Sequence, residues 1–112
     1  MMKNKICTSL EQSKKLIELG IDKKTSDMFY WCGEDIIRIG GHKSQSDFFD
    51  IPAWSLTALL GVMEEPELIK NSEGKWLIRV WYHSYPYSKG GYDDPVDACA
   101  DMIEKLHELN ML

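Results

Sequence analysis

Residues 75–97 read KWLIRVWYHSYPYSKGGYDDPVD, and this stretch determines most of the predicted fold. Its first eight residues alternate as in a β-strand, so two sets of side chains point to opposite faces. The set that contains Arg79 is expected to be partly exposed to solvent, and Trp81, which belongs to this set, is therefore expected to be half exposed. The other set is expected to face the core and consists of Trp76, Ile78, Val80 and Tyr82. The stretch closes with DDPVD, a helix start with proline in its first turn.

The segment His83–Tyr92 (HSYPYSKGGY) is predicted to be a loop rich in tyrosine. Aromatic rings that carry a hydroxyl offer large, rigid contact area, which suits recognition surfaces. We therefore predict a binding site formed by Trp81, His83, Tyr85, Tyr87 and Tyr92. The alternative is that the rings fold back over the sheet edge and cap a small core, and the sequence leaves both interpretations open.

Two antiparallel hairpins are predicted upstream. Glu67–Lys70 and Lys75–Tyr82 are expected to pair about the turn that joins them. Met28–Cys32 and Asp35–Gly40 are expected to pair about a Gly-Glu turn. Most of the predicted sheet therefore comes from strands that are neighbours in sequence.

Three helices complete the predicted domain. The first begins at the capping-box spacing of Thr8 and Glu11 and ends at Gly20, a residue suited to the C′ position. The second is expected to open at Asp50-Ile51-Pro52 and to run to about Met63, with almost no polar face. A helix that is apolar all round must be covered on more than one side. It therefore lies either inside the domain or at a homodimer interface.

The last helix is predicted to run from Pro95 to about Leu109, with apolar residues on one broad arc. That arc contains Val96, Cys99, Ala100, Met102, Ile103, Leu106 and Leu109. Four carboxylates, mostly without a lysine partner on the helix, lie opposite it: Asp97, Asp101, Glu104 and Glu108. They point outward and cannot converge on one cation. We interpret them as a solvated face, with a basic partner or mimicry of nucleic acid as alternatives.

Composition narrows the class of protein and of partner. The 112 residues predict one domain, 1–112, and the net charge of −5 argues against nucleic acid or an anionic membrane as the main partner. Cys7, Cys32 and Cys99 are widely spaced without a CxxC pair, which is typical of reduced thiols in a cytoplasmic protein. No secretory signal is expected, and the longest apolar run is too short to span a bilayer.

The sequence contains no recognisable catalytic motif. His42, His83 and His107 are scattered, and Cys99 lies on a core-facing arc where a thiol is inert. Neither glycine pair fits a phosphate-binding loop. We therefore predict a protein that is not an enzyme and has no catalytic residue, metal or cofactor. The alternative is a small-molecule-binding protein or enzyme with a pocket near His83 and Tyr85.

Three stretches carry a resemblance to a known group of proteins. They are LIELGIDKKTSDMFYW (16–31), IPAWSLTALLGVM (51–63) and YDDPVDACADMIEKLHELNML (92–112). The chain resembles a family of small uncharacterised proteins of prophages and mobile elements, particularly of Bacteroides-type gut bacteria. Because that family has no assigned activity, the resemblance implies a phage-derived, cytosolic context and transfers no catalytic residue.

The predicted architecture is an α+β domain: a small antiparallel sheet of three or four strands with three helices packed mainly on one face. The predicted function is that of a non-enzymatic, prophage-derived accessory protein that binds another protein of unknown identity. A homodimer is the alternative partner, and neither nucleic acid nor a membrane is expected.

Overall fold

The structure, a computed structural model, describes residues 5–30, 37–39 and 51–112. The described chain contains three α-helices, one 3₁₀ turn and six strands, which confirms the predicted α+β class with antiparallel pairing. The elements are α1 (Leu10–Glu18), the 3₁₀ turn (Lys23–Thr25), β1 (Met28–Tyr30), β2 (Ile37–Ile39), β3 (Ile51–Ala53), α2 (Leu56–Val62), β4 (Glu67–Lys70), β5 (Trp76–Tyr82), β6 (Tyr85–Tyr92) and α3 (Pro95–Glu108). Among these helices, none combines the length and apolar character needed to cross a membrane.

The strands form two sheets of three, ordered β2-β1-β3 and β4-β5-β6. The prediction that the helices pack mainly on one face is not confirmed, because α1 contacts β3 of the first sheet while α3 contacts β5 and β6 of the second. The predicted Gly-Glu turn between β1 and β2 lies outside the described residues, as do Cys32, His42 and the glycine pair at 40–41.

The predicted start of the second helix is wrong. Residues 51–53 form β3, which pairs with β1 so that Pro52 lies opposite Phe29. A proline is tolerated there because β3 is an edge strand. The helix begins instead after Ser55, whose side chain accepts a hydrogen bond from the Ala58 amide. Asp27 fixes that cap, since the Ser55 amide donates to its Oδ1 at 2.9 Å.

The predicted tyrosine loop is also wrong, because Tyr85–Tyr92 forms the strand β6 and pairs with β5. The two strands are joined by His83 and Ser84, which have φ angles of 50° and 70°. Positive φ at both central residues is the pattern of a type I′ hairpin turn. The local sequence does not indicate this strand. HSYPYSKGGY contains a proline and two glycines, and it lacks the sustained alternation of apolar residues that marks a half-buried strand.

Two helix ends differ slightly from the prediction. The capping box of α1 is formed by Ser9 and Gln12, one residue after the predicted pair. Thr8 is instead fully buried. Gly20 has a φ of 89° after α1, as expected for a C′ glycine. Leu109, predicted on the core arc of α3, is its C-cap residue and is 44% exposed.

The main core lies between α2, α3 and one face of β5. Ile78 and Val80 are buried as predicted, and Trp76 packs against them at the edge. The two α-helices contact each other, and Leu59 of α2 is fully buried. The remaining apolar residues of α2 pack around this core, so burial within the described fold accounts for the lack of a polar face.

Candidate functional site

The two faces of the second sheet differ in their packing, since only one of them contributes residues to the described core. Residues directly opposite each other in antiparallel strands share a face, so the register assigns each side chain to a side. The face opposite the core, here called the outer face, contains Glu67, Ile69, Leu77, Arg79, Trp81, Pro86 and Ser88. Leu77 and Trp81 are only partly buried and do not pack on the core. No described helix covers this face.

The five predicted binding residues are divided between the two faces. Tyr87 lies opposite Val80 and Tyr92 opposite Trp76, so both belong to the inner face and pack against the core. For these two rings the geometry is that of the capping alternative. Trp81 lies on the outer face, and Tyr85, 76% exposed, lies beside the turn.

Tyr92 is tied to the last helix rather than presented to a partner. Burial, followed by the charge of Asp101 and a hydrogen bond to that residue, raises the pKa of Tyr92 to about 12. The neutral phenol keeps its proton and donates a hydrogen bond to the carboxylate of Asp101 on α3. The pair therefore connects the inner face of β6 to α3.

A surface depression of about 340 Å³ lies at one end of the outer face. It is lined by Glu64, Glu65, Trp81, His83 and Ser84, and we call it the Trp81 depression. The chain after α2 supplies the two glutamates, and the end of β5 with the following turn supplies the rest. The structure thus brings the predicted residues Trp81 and His83 together with an acidic pair that sequence reasoning missed. The adjacent glutamates at the end of a helix were the available signal.

Backbone strain is concentrated around the Trp81 depression. Four described residues other than glycine have positive φ, and three of them, Glu65, His83 and Ser84, line it. Glu65 also precedes Pro66, a position that favours extended backbone over its φ of 44°. Such conformations cost free energy and cluster at binding and active sites. The protein is therefore less stable than the same backbone would be with residues that favour positive φ at these positions.

Residues that suit the turn should relieve part of this strain. Replacing His83 by Asn and Ser84 by Gly gives the Asn-Gly pair that type I′ turns prefer. We expect H83N/S84G to raise the free energy of unfolding by about 1 kcal/mol. Urea denaturation of the variant and of the unchanged protein measures this difference. Equal or lower stability of the variant would show that the turn is not strained.

The carboxylates beside Trp81 differ in their partners. The Trp81 Nε1–H donates to Glu67 Oε1 at 2.5 Å, and Arg79 Nη1 lies 3.9 Å from Glu67 Oε2. Glu67 is therefore satisfied on the sheet and holds the indole in place. Glu64 and Glu65 are exposed, and neither forms an ion pair within the described ranges. The depression thus presents two carboxylates that no described cation pairs with, next to a fixed aromatic ring.

A smaller cavity of about 90 Å³ adjoins the Trp81 depression, because Glu64 and Trp81 line both. Its other lining residues are Val62, Val80, Tyr82, Leu106, Met111 and Leu112. His83 makes an edge-on contact with Tyr82, with ring centroids 4.2 Å apart. The two cavities share these two lining residues, and the smaller one is mostly apolar and lies between the sheet and the last helix.

The acidic residues of α3 are engaged within the fold. Asp97 Oδ1 accepts hydrogen bonds from Lys5 Nζ at 2.7 Å and from Gln12 Nε2 at 2.8 Å. Glu104 lies 4.0 Å from Lys15 of α1. These contacts border a cleft of about 390 Å³ between α1 and α3 that contains charges of both signs. The prediction considered lysines on the same helix, whereas the lysines that reach Asp97 and Glu104 are distant in sequence.

The described cysteines are poor nucleophiles. Cys7 and Cys99 are free and buried. Burial raises the pKa of Cys99 to about 12, and burial is also the main cause of the raised pKa of Cys7. Thiolate is the reactive form, so neither side chain is activated. Within the part of the chain that the structure describes, no group of three or more potential ligands is arranged to hold a metal ion.

Comparison with known proteins identifies no family for this chain. No family model, curated protein or solved structure matches the chain. The function must therefore be argued from the geometry of the outer face and the Trp81 depression.

Proposed function

We propose that this chain is a non-enzymatic accessory protein that binds another protein through the outer face and the Trp81 depression. The observation that carries the proposal is the convergence of Trp81 with three strained backbone positions at an open sheet face. Tryptophan held in a fixed orientation is a frequent energetic centre of protein interfaces. The resemblance to small prophage proteins supports a phage-derived setting for this interaction, and the buried free thiols support a reducing, cytoplasmic one.

A protein fits this surface better than a small molecule does. Small-molecule sites are usually concave and mostly apolar, with a few convergent polar groups. The Trp81 depression is open and acidic, and Tyr85 does not line it. The alternative function places a small-molecule pocket near His83 and Tyr85, and of these two residues only His83 lines the depression. The pairing of the α3 carboxylates with lysines likewise weakens the proposal of a nucleic-acid mimic.

Partner capture with matched variants tests this proposal. We expect tagged protein to capture a stoichiometric protein from its native cells, and Trp81→Ser to reduce the recovery at least about tenfold. Ile6→Ser, at an apolar residue 69% exposed near the first sheet, is the control and should leave recovery unchanged. Circular dichroism of both variants checks that the fold is retained. Recovery of the partner that Trp81→Ser leaves unchanged, or that only Ile6→Ser abolishes, would contradict the proposal.

A further inference from the structure

We propose, building on this function, that the partner presents a short basic segment and that one of its arginine or lysine side chains enters the Trp81 depression. The cation lies against the Trp81 ring and between the carboxylates of Glu64 and Glu65. The aliphatic part of its side chain lies along the same indole ring.

Charge complementarity is the first argument for a basic occupant. Glu64 and Glu65 have no cationic partner among the described residues, whereas Glu67 has Arg79 and the α3 carboxylates Asp97 and Glu104 have Lys5 and Lys15. A cation at the depression would therefore meet negative charge that no described side chain compensates. The net charge of −5 adds a long-range attraction for a basic partner.

The aromatic ring is the second argument. A guanidinium or ammonium group is attracted to the face of an indole, and tryptophan is the strongest of the aromatic side chains in this respect. The bond from Trp81 Nε1 to Glu67 fixes the ring before any partner arrives. A preoriented ring loses less side-chain entropy on binding than a mobile one. Ring and carboxylates together thus define a site for a cation rather than for an apolar group.

The size of the outer face selects a short segment rather than a second copy of the chain. Three strands about 4.8 Å apart and seven residues that rise about 3.3 Å each cover roughly 330 Å². A stable protein–protein interface needs about 800 Å² from each partner. Two copies would also bring the same unpaired glutamates and the same net charge together. An extended basic segment lying on this face avoids both difficulties.

A peptide titration followed by NMR tests this inference. The probe is N-acetyl hexaarginine amide, and the control peptide contains citrulline, which keeps the shape of arginine and removes its charge. We expect the arginine peptide to shift the Trp81 indole signal and the amide signals of residues 64, 65 and 81–84. E64Q/E65Q should weaken its affinity about tenfold. The matched control is E104Q/E108Q on α3, which should leave the affinity unchanged.

Three results would overturn the basic-segment inference. They are an equal response to the citrulline peptide, shifts centred on α3, and an affinity that E64Q/E65Q leaves unaltered. No binding of the arginine peptide at millimolar concentration would overturn it as well. If partner capture still depends on Trp81 in that case, only the chemistry of the partner is wrong. If capture does not depend on Trp81, the proposed function itself fails.

Discussion

Replacing Trp54 by alanine is expected to lower the free energy of unfolding by about 3–5 kcal/mol. Trp54 is fully buried in the main core, although it directly follows β3 of the first sheet. Its Nε1–H donates to Thr25 Oγ1 at 2.8 Å and its amide donates to Thr8 Oγ1 at 3.1 Å. One residue therefore connects the N-terminal segment through its amide, the 3₁₀ turn through its indole N–H and the main core through its ring. Replacing the indole by a methyl group creates a cavity and also removes the hydrogen bond to Thr25.

Urea denaturation followed by circular dichroism measures this effect, and Trp81→Ala is the matched control. Both changes remove an indole, but Trp81 lies on the outer face and does not pack on the core, so its loss should cost about 1 kcal/mol or less. Trp54→Phe keeps most of the apolar volume and loses the bond to Thr25, and its cost should fall between the two. Equal destabilisation by Trp54→Ala and Trp81→Ala would contradict the described core.

Replacing Thr8 by valine is expected to cost about 2–4 kcal/mol, although the two side chains have nearly the same shape. Thr8 is fully buried, and its hydroxyl accepts from the Trp54 amide and shares a 2.7 Å hydrogen bond with Ser13 Oγ. Valine would leave both of these buried groups without that partner. Unsatisfied buried polar groups carry a desolvation cost that isosteric packing does not remove.

A double-mutant cycle separates the contributions to this network. Ser13→Ala removes one member and leaves the bond from the Trp54 amide to Thr8, so its cost should be about 1 kcal/mol. The double variant T8V/S13A should be less destabilised than the sum of the single variants, because valine no longer leaves the serine hydroxyl unpaired. Strict additivity of the two costs, measured by urea denaturation, would show that Thr8 and Ser13 do not interact.

The elements with strong local signals were predictable. The last helix was correctly placed because Asp94 caps it, Pro95 opens it and its apolar residues recur at helical spacing. The hairpin of β4 and β5 was correctly paired because alternating apolar residues flank a turn segment that ends in Gly74. In these segments local preference and tertiary packing favour the same structure, so sequence alone is sufficient.

The remaining strands depend on partners that the sequence does not reveal. β3 contains a proline and is only three residues long, and it forms because β1 provides a partner. β6 contains a proline and two glycines, and it forms because the turn at His83 and Ser84 folds it onto β5. In both segments pairing across the sheet overrides weak local propensity.

The candidate site was only partly predictable for the same reason. Trp81 and His83 were selected because aromatic residues near a chain reversal suggest a recognition surface. Tyr87 and Tyr92 were selected by the same argument, yet strand alternation places them against the core. Glu64 and Glu65 could not be assigned to the site, since only the folded chain brings the end of α2 beside the β5–β6 turn.

Site-specific photocrosslinking in the native cells tests the central claim most directly. A benzoylphenylalanine residue placed at position 88 lies on the exposed outer face and leaves Trp81 intact, and one placed at position 6 lies on an exposed apolar residue near the first sheet. We expect one discrete crosslinked protein from position 88, with the crosslink mapped to a basic segment, and no such product from position 6. No product from position 88, or the same product from both positions, would contradict a binding site at the outer face and the Trp81 depression.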